Sequence, residues 1–122
     1  MIVYRVEFYE TQNGECQIGD FLDDLRIQAK NNKDARIQYK QVAMYIELLQ
    51  NNGTHLGSNI TKYLDDGIWE LRPGNNRVFY FFFQNDTFVL LHQFRKKSQK
   101  TPRLELEKAQ RERNDYVARK GL

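Results

Sequence analysis

Basic residues whose spacing suits phosphate binding surround one predicted turn of this sequence. Arg72 and Arg77 flank the stretch Pro-Gly-Asn-Asn at 73–76, which is typical of a tight turn and would bring the two guanidinium groups together. Like charges repel each other, and an anion between them relieves that repulsion. Guanidinium groups suit phosphate because they donate paired, charge-assisted hydrogen bonds. The alternative that the sequence leaves open is that Arg72 pairs with a carboxylate, that of Glu70, Asp23 or Asp24.

A second group of cations follows the last predicted strand. Residues 95–103 contain five basic residues and no carboxylate, namely Arg95, Lys96, Lys97, Lys100 and Arg103. Solvated charge runs are common on protein surfaces, but this run leaves a strand that ends beside the predicted arginine pair. Trp69 and Phe94 could offer faces for base stacking in single-stranded RNA, although Trp69 suits a core position better. We therefore predict one anion site, suited to a nucleic-acid phosphate.

Metal-independent cleavage of RNA through its own 2′-hydroxyl is one reaction that such a site could support. The reaction needs a base for that proton, cations for the phosphorane and an acid for the leaving oxygen. Glu70 and His92 are the nearest titratable residues, and a lysine of the cation cluster is a further candidate for the base. His92 lies in a strongly apolar predicted strand, so a buried core histidine is an equal alternative. Two histidines without an HxxH pattern or a cysteine partner argue against a metal site.

The composition predicts one soluble domain over residues 1–122. Apolar residues make up 40% and aromatic residues 13%, too much core material for a disordered chain. The single Cys16 precludes an intramolecular disulfide, and the charged N-terminus argues against a signal peptide, so we expect a cytoplasmic protein with no membrane span. Residues 1–66 carry 7 Lys and Arg against 10 Asp and Glu, whereas residues 67–122 carry 12 against 6. The basic second half suits a polyanionic partner.

Hydrophobic periodicity and turn residues predict an α+β fold. The predicted elements are a strand at 2–9, helices at 18–29 and 35–49, strands at 60–64, 68–72, 77–83 and 88–94, and a last helix that Thr101 caps and Pro102 opens. The two early helices would form a hairpin on one face of a small antiparallel sheet, because the turns between the later strands are short. The strands at 77–83 and 88–94 are apolar on both faces and are predicted to be central. The last helix has a thin apolar stripe and is predicted to dock weakly.

The chain contains WELR at 69–72, Arg77 at the start of the next strand, and FRKKSQKTP at 94–102 before the last helix. These three motifs resemble the RelE/ParE toxin superfamily, and more narrowly its phage-derived, HigB-like branch. The resemblance covers about residues 2–117. It implies the RelE-like fold, in which an N-terminal strand and a two-helix hairpin pack on a small antiparallel sheet with a C-terminal helix. The predicted order of elements agrees with that fold.

The resemblance implies that the protein is the toxin of a type II toxin–antitoxin system. Such a toxin is a ribosome-dependent endoribonuclease, an mRNA interferase, which cuts mRNA in the ribosomal A site by metal-independent 2′-hydroxyl attack. It uses no cofactor, and it inhibits translation and growth. The implied partner is a cognate helix-turn-helix antitoxin, HigA-like, in a complex that we expect to be a heterotetramer.

The resemblance also implies roles for individual residues. Arg77 matches the arginine that contacts the scissile phosphate, and Arg72 matches the arginine at the end of the WELR strand. Lys96 and Lys97 fall where relatives have a functional basic residue. The residues expected to contact RNA are Arg95, Lys100 and Arg103.

The departures from the family pattern leave the general acid and base unassigned. Glu70 stands where RelE itself has a lysine, and Tyr116, far along the last helix, is the only tyrosine near the C-terminus. The ParE-like branch shares the fold yet inhibits DNA gyrase without cutting RNA, and this alternative stays open. A phosphate-binding module that has lost its activity is a third reading. The cations of the WELR and KKxxKTP motifs favour the branch that cuts RNA over the ParE-like branch.

Overall fold

The computed structural model describes residues 3–120 and confirms the α+β class. Along the chain lie β1 (Arg5–Phe8), α1 (Gln17–Gln28), α2 (Lys33–Asn52), β2 (Thr61–Asp65), β3 (Ile68–Leu71), β4 (Asn76–Phe83), β5 (Thr87–Arg95) and α3 (Arg103–Arg119). β1 is shorter than predicted, and the predicted start of this strand, residue 2, lies outside the described residues. α2 is longer than predicted because Asn32 caps it, its side chain accepting the Ala35 N–H.

The five strands form one sheet in the order β1-β5-β4-β3-β2. β2 to β5 are antiparallel neighbours, as their short turns require. β1 lies parallel to β5 at the other edge, so the sheet is mixed and not wholly antiparallel as predicted. β1 is separated from its partner by most of the chain, and turn lengths therefore contain no information on its direction.

Both faces of the central strands β4 and β5 are covered, as predicted. On one face α1 and α2 contribute to a core cluster of Ile18, Leu49, Leu71, Val78, Tyr80, Phe88 and Leu90. On the other face α3 contributes to a cluster of Tyr9, Ile68, Phe79, Phe81, Val89, Leu91, Ala109 and Tyr116. Alternate residues of each strand point to opposite faces, and Arg72 and Arg77 lie on the face under α3.

The prediction that α3 docks weakly is wrong. Ala109 and Tyr116 are buried against the sheet, and two partly buried polar contacts add to them. The Tyr116 hydroxyl donates to the Glu7 carboxylate at 2.7 Å, and the Tyr9 hydroxyl donates to Asp115 at 2.6 Å. A thin apolar stripe is sufficient here because phenol–carboxylate pairs supply the remaining contacts, which hydrophobic periodicity does not detect.

The predicted N-cap of α3 is wrong by one position. Pro102 is the N-cap, with extended backbone angles and no side-chain hydrogen bond, and the helix begins at Arg103. The Thr101 hydroxyl instead donates to Glu70 Oε2 at 3.2 Å. Thr101 thus links the segment before α3 to Glu70 of β3.

Buried tyrosines make the fold sensitive to alkaline pH. Burial, and for Tyr9 also the hydrogen bond to Asp115, raises the pKa of both Tyr9 and Tyr80 to about 12. The unfolded chain loses these protons near pH ~10, so it binds fewer protons than the folded protein above that pH. This contribution to stability is therefore complete below about pH 10 and is lost as the pH rises towards about 12.

We expect the urea midpoint to fall steadily between about pH 10 and about pH 12. Tyr9→Phe removes one of the titrating phenols and is expected to make that fall shallower. Equal urea midpoints at all of these pH values, measured on the native protein, would contradict the raised pKa values of Tyr9 and Tyr80.

Candidate active site

A tight turn between β3 and β4 places the two arginines. Gly74 has φ of +62°, a left-handed conformation that favours glycine at this position of the turn. Arg72 follows the last residue of β3, and Arg77 is the second residue of β4. Their side chains lie on the α3 face together with that of Glu70, as strand alternation predicts.

Glu70 lies between the two guanidinium groups. Its Oε1 is 3.5 Å from Arg72 Nε and 3.8 Å from Arg77 Nε. These distances are longer than ordinary hydrogen bonds, so both contacts are chiefly electrostatic. The residue is 3% exposed, and its Oε2 accepts the Thr101 hydroxyl. Glu70 is thus the carboxylate that pairs with Arg72, and it leaves guanidinium donors available to another anion.

Arg77 is held rigidly by the turn. Its Nη1 donates to the carbonyl oxygens of Gly74 and Asn76, at 2.8 Å each. Burial lowers the pKa of Arg77 from its ordinary value; Glu70 opposes this effect, and Arg72 adds to it. A guanidinium group remains charged at neutral pH even when burial lowers its pKa. The side chain is therefore a fixed, desolvated positive charge.

Arg72 retains an unused buried donor. Its Nη1 donates to the Ser58 carbonyl at 2.8 Å, which fixes the guanidinium plane. Among residues 3–120, Arg72 Nε is the buried side-chain nitrogen or oxygen that has no hydrogen-bond partner. An unsatisfied buried N–H is costly, and such groups in native proteins call for an explanation. The Glu70 carboxylate, whose Oε1 lies 3.5 Å away, supplies electrostatic compensation at this N–H.

The arginines line a cleft of about 290 Å³ between the sheet and the segment 96–102, which we call the strap. The Lys96 N–H donates to the Asn75 carbonyl at 2.7 Å and so joins the start of the strap to the arginine turn. Six basic side chains and one carboxylate line the cleft: Lys62, Arg72, Arg77, Lys96, Lys97, Lys100 and Glu70. Phe94 also lines the cleft. The cleft therefore has a strong excess of positive charge.

The structure brings together six of the nine site residues that the sequence suggested, and these are Glu70, Arg72, Arg77, Lys96, Lys97 and Lys100. Arg95 and Arg103 are not part of the cleft lining. The Arg95 side chain donates to Gln38 of α2 at 3.1 Å, because alternation along β5 turns it to the opposite face. Arg103 forms an exposed pair with Glu107 on α3.

His92 is also absent from the cleft lining. It is 1% exposed, and carboxylates contact both ring nitrogens: Glu112 lies 2.6 Å from Nδ1 and Glu105 lies 2.9 Å from Nε2. The ring packs edge-on against Phe79. This placement favours the core-histidine alternative that the sequence left open.

Lys62 is the cleft residue that the sequence analysis missed. It lies on the edge strand β2 directly opposite Glu70 in the register, and cross-strand neighbours share a face. The Asp66-Gly67 turn, whose two residues have positive φ, pairs Asp65 with Ile68 and by simple alternation would put Lys62 opposite Leu71. A bulge between Tyr63 and Asp65 shifts the pairing by one residue and puts Lys62 opposite Glu70. The turn residues therefore gave no signal for Lys62 in the sequence.

Among residues 3–120, no group of three or more His, Cys, Asp or Glu side chains is placed to hold a metal ion. None of the helices in this range has the length and apolar character needed to cross a bilayer.

Comparison with known proteins gives one family. The profile described as "Phage derived protein Gp49-like (DUF891)" matches residues 20–114, which include the cleft-lining residues and most of α3. No curated protein matches the sequence significantly. Because the profile covers most of the chain, the protein belongs to the Gp49-like family of phage-derived proteins, a family associated with RelE-like toxins.

Proposed function

We propose that this protein is the toxin of a type II toxin–antitoxin system, of the HigB-like branch, and that it is a ribosome-dependent mRNA interferase. The observation that carries the proposal is the placement of Arg72 and Arg77 on either side of Glu70, in a cleft lined by six basic side chains. Such a cleft suits a phosphodiester. The toxin association of the Gp49-like family supports the same reading.

The cleft suggests how the chain's own residues would cut RNA. Glu70 accepts the proton of the 2′-hydroxyl, and the 2′-oxygen attacks the adjacent phosphorus. Arg72 and Arg77 stabilise the extra negative charge of the phosphorane, which is the role of preorganised donors in a desolvated site. The bond to the 5′-oxygen then breaks, and the products are a 2′,3′-cyclic phosphate and a 5′-hydroxyl.

The proposed partners follow from the resemblance. mRNA in the ribosomal A site is the substrate, and a helix-turn-helix, HigA-like antitoxin neutralises the toxin in the cytoplasm. The basic second half of the chain supports association with RNA, since clustered Lys and Arg attract polyanions.

Brief induction of the chain in growing bacteria, followed by primer extension on an abundant mRNA, tests this proposal. We expect new 5′ ends inside translated codons, and we expect them to disappear in the double variant Arg72→Ala/Arg77→Ala. Arg26→Ala is a matched control, because Arg26 is an exposed arginine that pairs with Asp23 on α1. Growth arrest with intact mRNA and altered DNA supercoiling would contradict the proposal and indicate gyrase inhibition.

A further inference from the structure

We propose that Thr101 relays the proton of the 2′-hydroxyl to Glu70. Its hydroxyl oxygen takes the substrate proton and passes its own proton to the carboxylate. This inference rests on the proposed function, because it concerns the path of the first proton transfer in the same reaction. Thr101 is then the group that contacts the 2′-hydroxyl, and Glu70 is the final acceptor of the proton.

The Glu70 carboxylate is largely closed off from the cleft. The residue is 3% exposed, so little of its surface can contact a substrate. Its Oε1 faces the Nε atoms of Arg72 and Arg77, at 3.5 and 3.8 Å. Its Oε2 lies 3.2 Å from the Thr101 hydroxyl oxygen. A 2′-hydroxyl that enters the cleft therefore meets the neighbours of Glu70 before it meets the carboxylate itself.

The Thr101 hydroxyl is open to the cleft and is oriented by Glu70. Thr101 is half-buried and lines the cleft. A hydroxyl group has one hydrogen to donate and two lone pairs, whereas an ionised carboxylate only accepts. The Thr101 hydrogen therefore points to Glu70, and the lone pairs can accept the hydrogen of the 2′-hydroxyl. A hydroxyl that accepts on one side and donates on the other is the geometry of a proton relay.

Thr101 is held in place by the start of α3. The next residue, Pro102, has extended backbone angles at the N-cap, and its carbonyl accepts the first backbone hydrogen bonds of the helix. The helix is docked on the sheet through the buried Ala109 and Tyr116. Thr101 thus stays at a defined distance from Glu70, as an efficient proton transfer requires.

The strap has a second hydroxyl in the cleft lining, that of Ser98, which lacks this arrangement. Ser98 is exposed, and its hydroxyl donates to the Lys100 carbonyl at 3.1 Å. The charged arginine and lysine side chains around it are donors only and have no lone pair for the substrate proton. Of the cleft-lining hydroxyls, that of Thr101 is the one bonded to Glu70.

The relay step balances without a further reactant. The 2′-oxygen loses its proton to Thr101 Oγ1 and forms a bond to phosphorus, while the Thr101 hydrogen moves to Glu70 Oε2. The bond between phosphorus and the 5′-oxygen breaks, its electron pair stays on that oxygen, and water protonates it. Thr101 is unchanged, and Glu70 returns to its ionised form by giving its proton to water.

Two substitutions of Thr101 test the relay in single-turnover cleavage of ribosome-bound mRNA. Valine has the shape of threonine without the hydroxyl, and serine keeps the hydroxyl without the methyl group. We expect the maximal rate of Thr101→Val to fall about 10²-fold or more, with the half-saturating protein concentration unchanged within about threefold. Thr101→Ser is expected to stay within about tenfold of the native rate. Ser98→Ala, which removes the other strap hydroxyl, is the matched control and should cleave at the native rate.

Heavy water separates a relay from a purely positioning role. The probe is a ribosome-bound mRNA with a bridging sulfur in place of the 5′-oxygen at the cleavage position, because a thiolate leaves without protonation. Two protons move together in the relay, so we expect the native rate to follow a curve as the deuterium fraction rises. A linear or flat dependence would show that Thr101 only positions Glu70. This measurement uses the native protein and so does not depend on the folding of Thr101→Val.

The contrary outcomes separate this inference from the proposed function. If Thr101→Val cleaves within about threefold of the native rate, or if Thr101→Ser is as slow as Thr101→Val, the hydroxyl is not the relay, although the nuclease proposal stands. If the native protein cuts no mRNA, the proposed function fails, and the relay fails with it.

Discussion

Replacing Arg77 with alanine is expected to lower the rate of mRNA cleavage by about 10²-fold or more. Arg77 is fixed by two turn carbonyls and is 7% exposed, so its charge is already in place when the phosphorane forms. Loss of one such donor costs about 3 kcal/mol of transition-state stabilisation. Single-turnover cleavage of ribosome-bound mRNA measures the effect.

Two further variants identify the cause of the expected loss. Arg77→Lys keeps the positive charge but lacks the guanidinium fork, and we expect an intermediate rate. Arg26→Ala removes an exposed arginine and should cleave at the native rate. Native toxicity in Arg72→Ala/Arg77→Ala would rule out the nuclease proposal, because a folded gyrase inhibitor has no need of these phosphate contacts.

Replacing His92 with alanine is expected to lower the free energy of unfolding by about 3 kcal/mol. The change opens a cavity beside Phe79 and removes the ring that Glu105 and Glu112 contact from α3. Denaturant unfolding followed by circular dichroism measures the loss. His92→Phe retains the ring volume and loses the polar contacts, so we expect a smaller effect.

The same variants test whether His92 takes part in catalysis. Because the residue is buried away from the cleft, the cleavage rate per folded molecule of His92→Phe is expected to stay within about threefold of the native rate. Native stability with a large loss of cleavage in this variant would show that the histidine acts chemically.

The arginine pair was predictable because it depends on local structure. A Pro-Gly turn and strand alternation are sufficient to bring Arg72 and Arg77 together with Glu70, and both signals lie within a few residues of sequence. The position of Lys62 was not predictable in this way, because the register that the Asp66-Gly67 turn imposes is shifted by a bulge between Tyr63 and Asp65. Without the bulge, alternation would turn Lys62 to the other face of the sheet.

The surroundings of His92 and Arg95 were not predictable from local sequence. The apolar strand around His92 indicated burial, but its carboxylate partners come from α3, whose docking depends on contacts between distant segments such as Tyr116 with Glu7. The direction of β1 is a similar case, since its partner lies at the far end of the chain. Such features depend on tertiary packing, which periodicity does not encode.

The chemistry of the cleaved ends tests the central claim most directly. A short mRNA bound to ribosomes is treated with the purified protein, and the fragments are analysed by mass spectrometry. We expect a 2′,3′-cyclic phosphate on one fragment, a 5′-hydroxyl on the other, and no cleavage when the nucleotide before the scissile phosphate is 2′-deoxy. Intact mRNA, or cleavage of the 2′-deoxy substrate, would contradict the proposed nuclease.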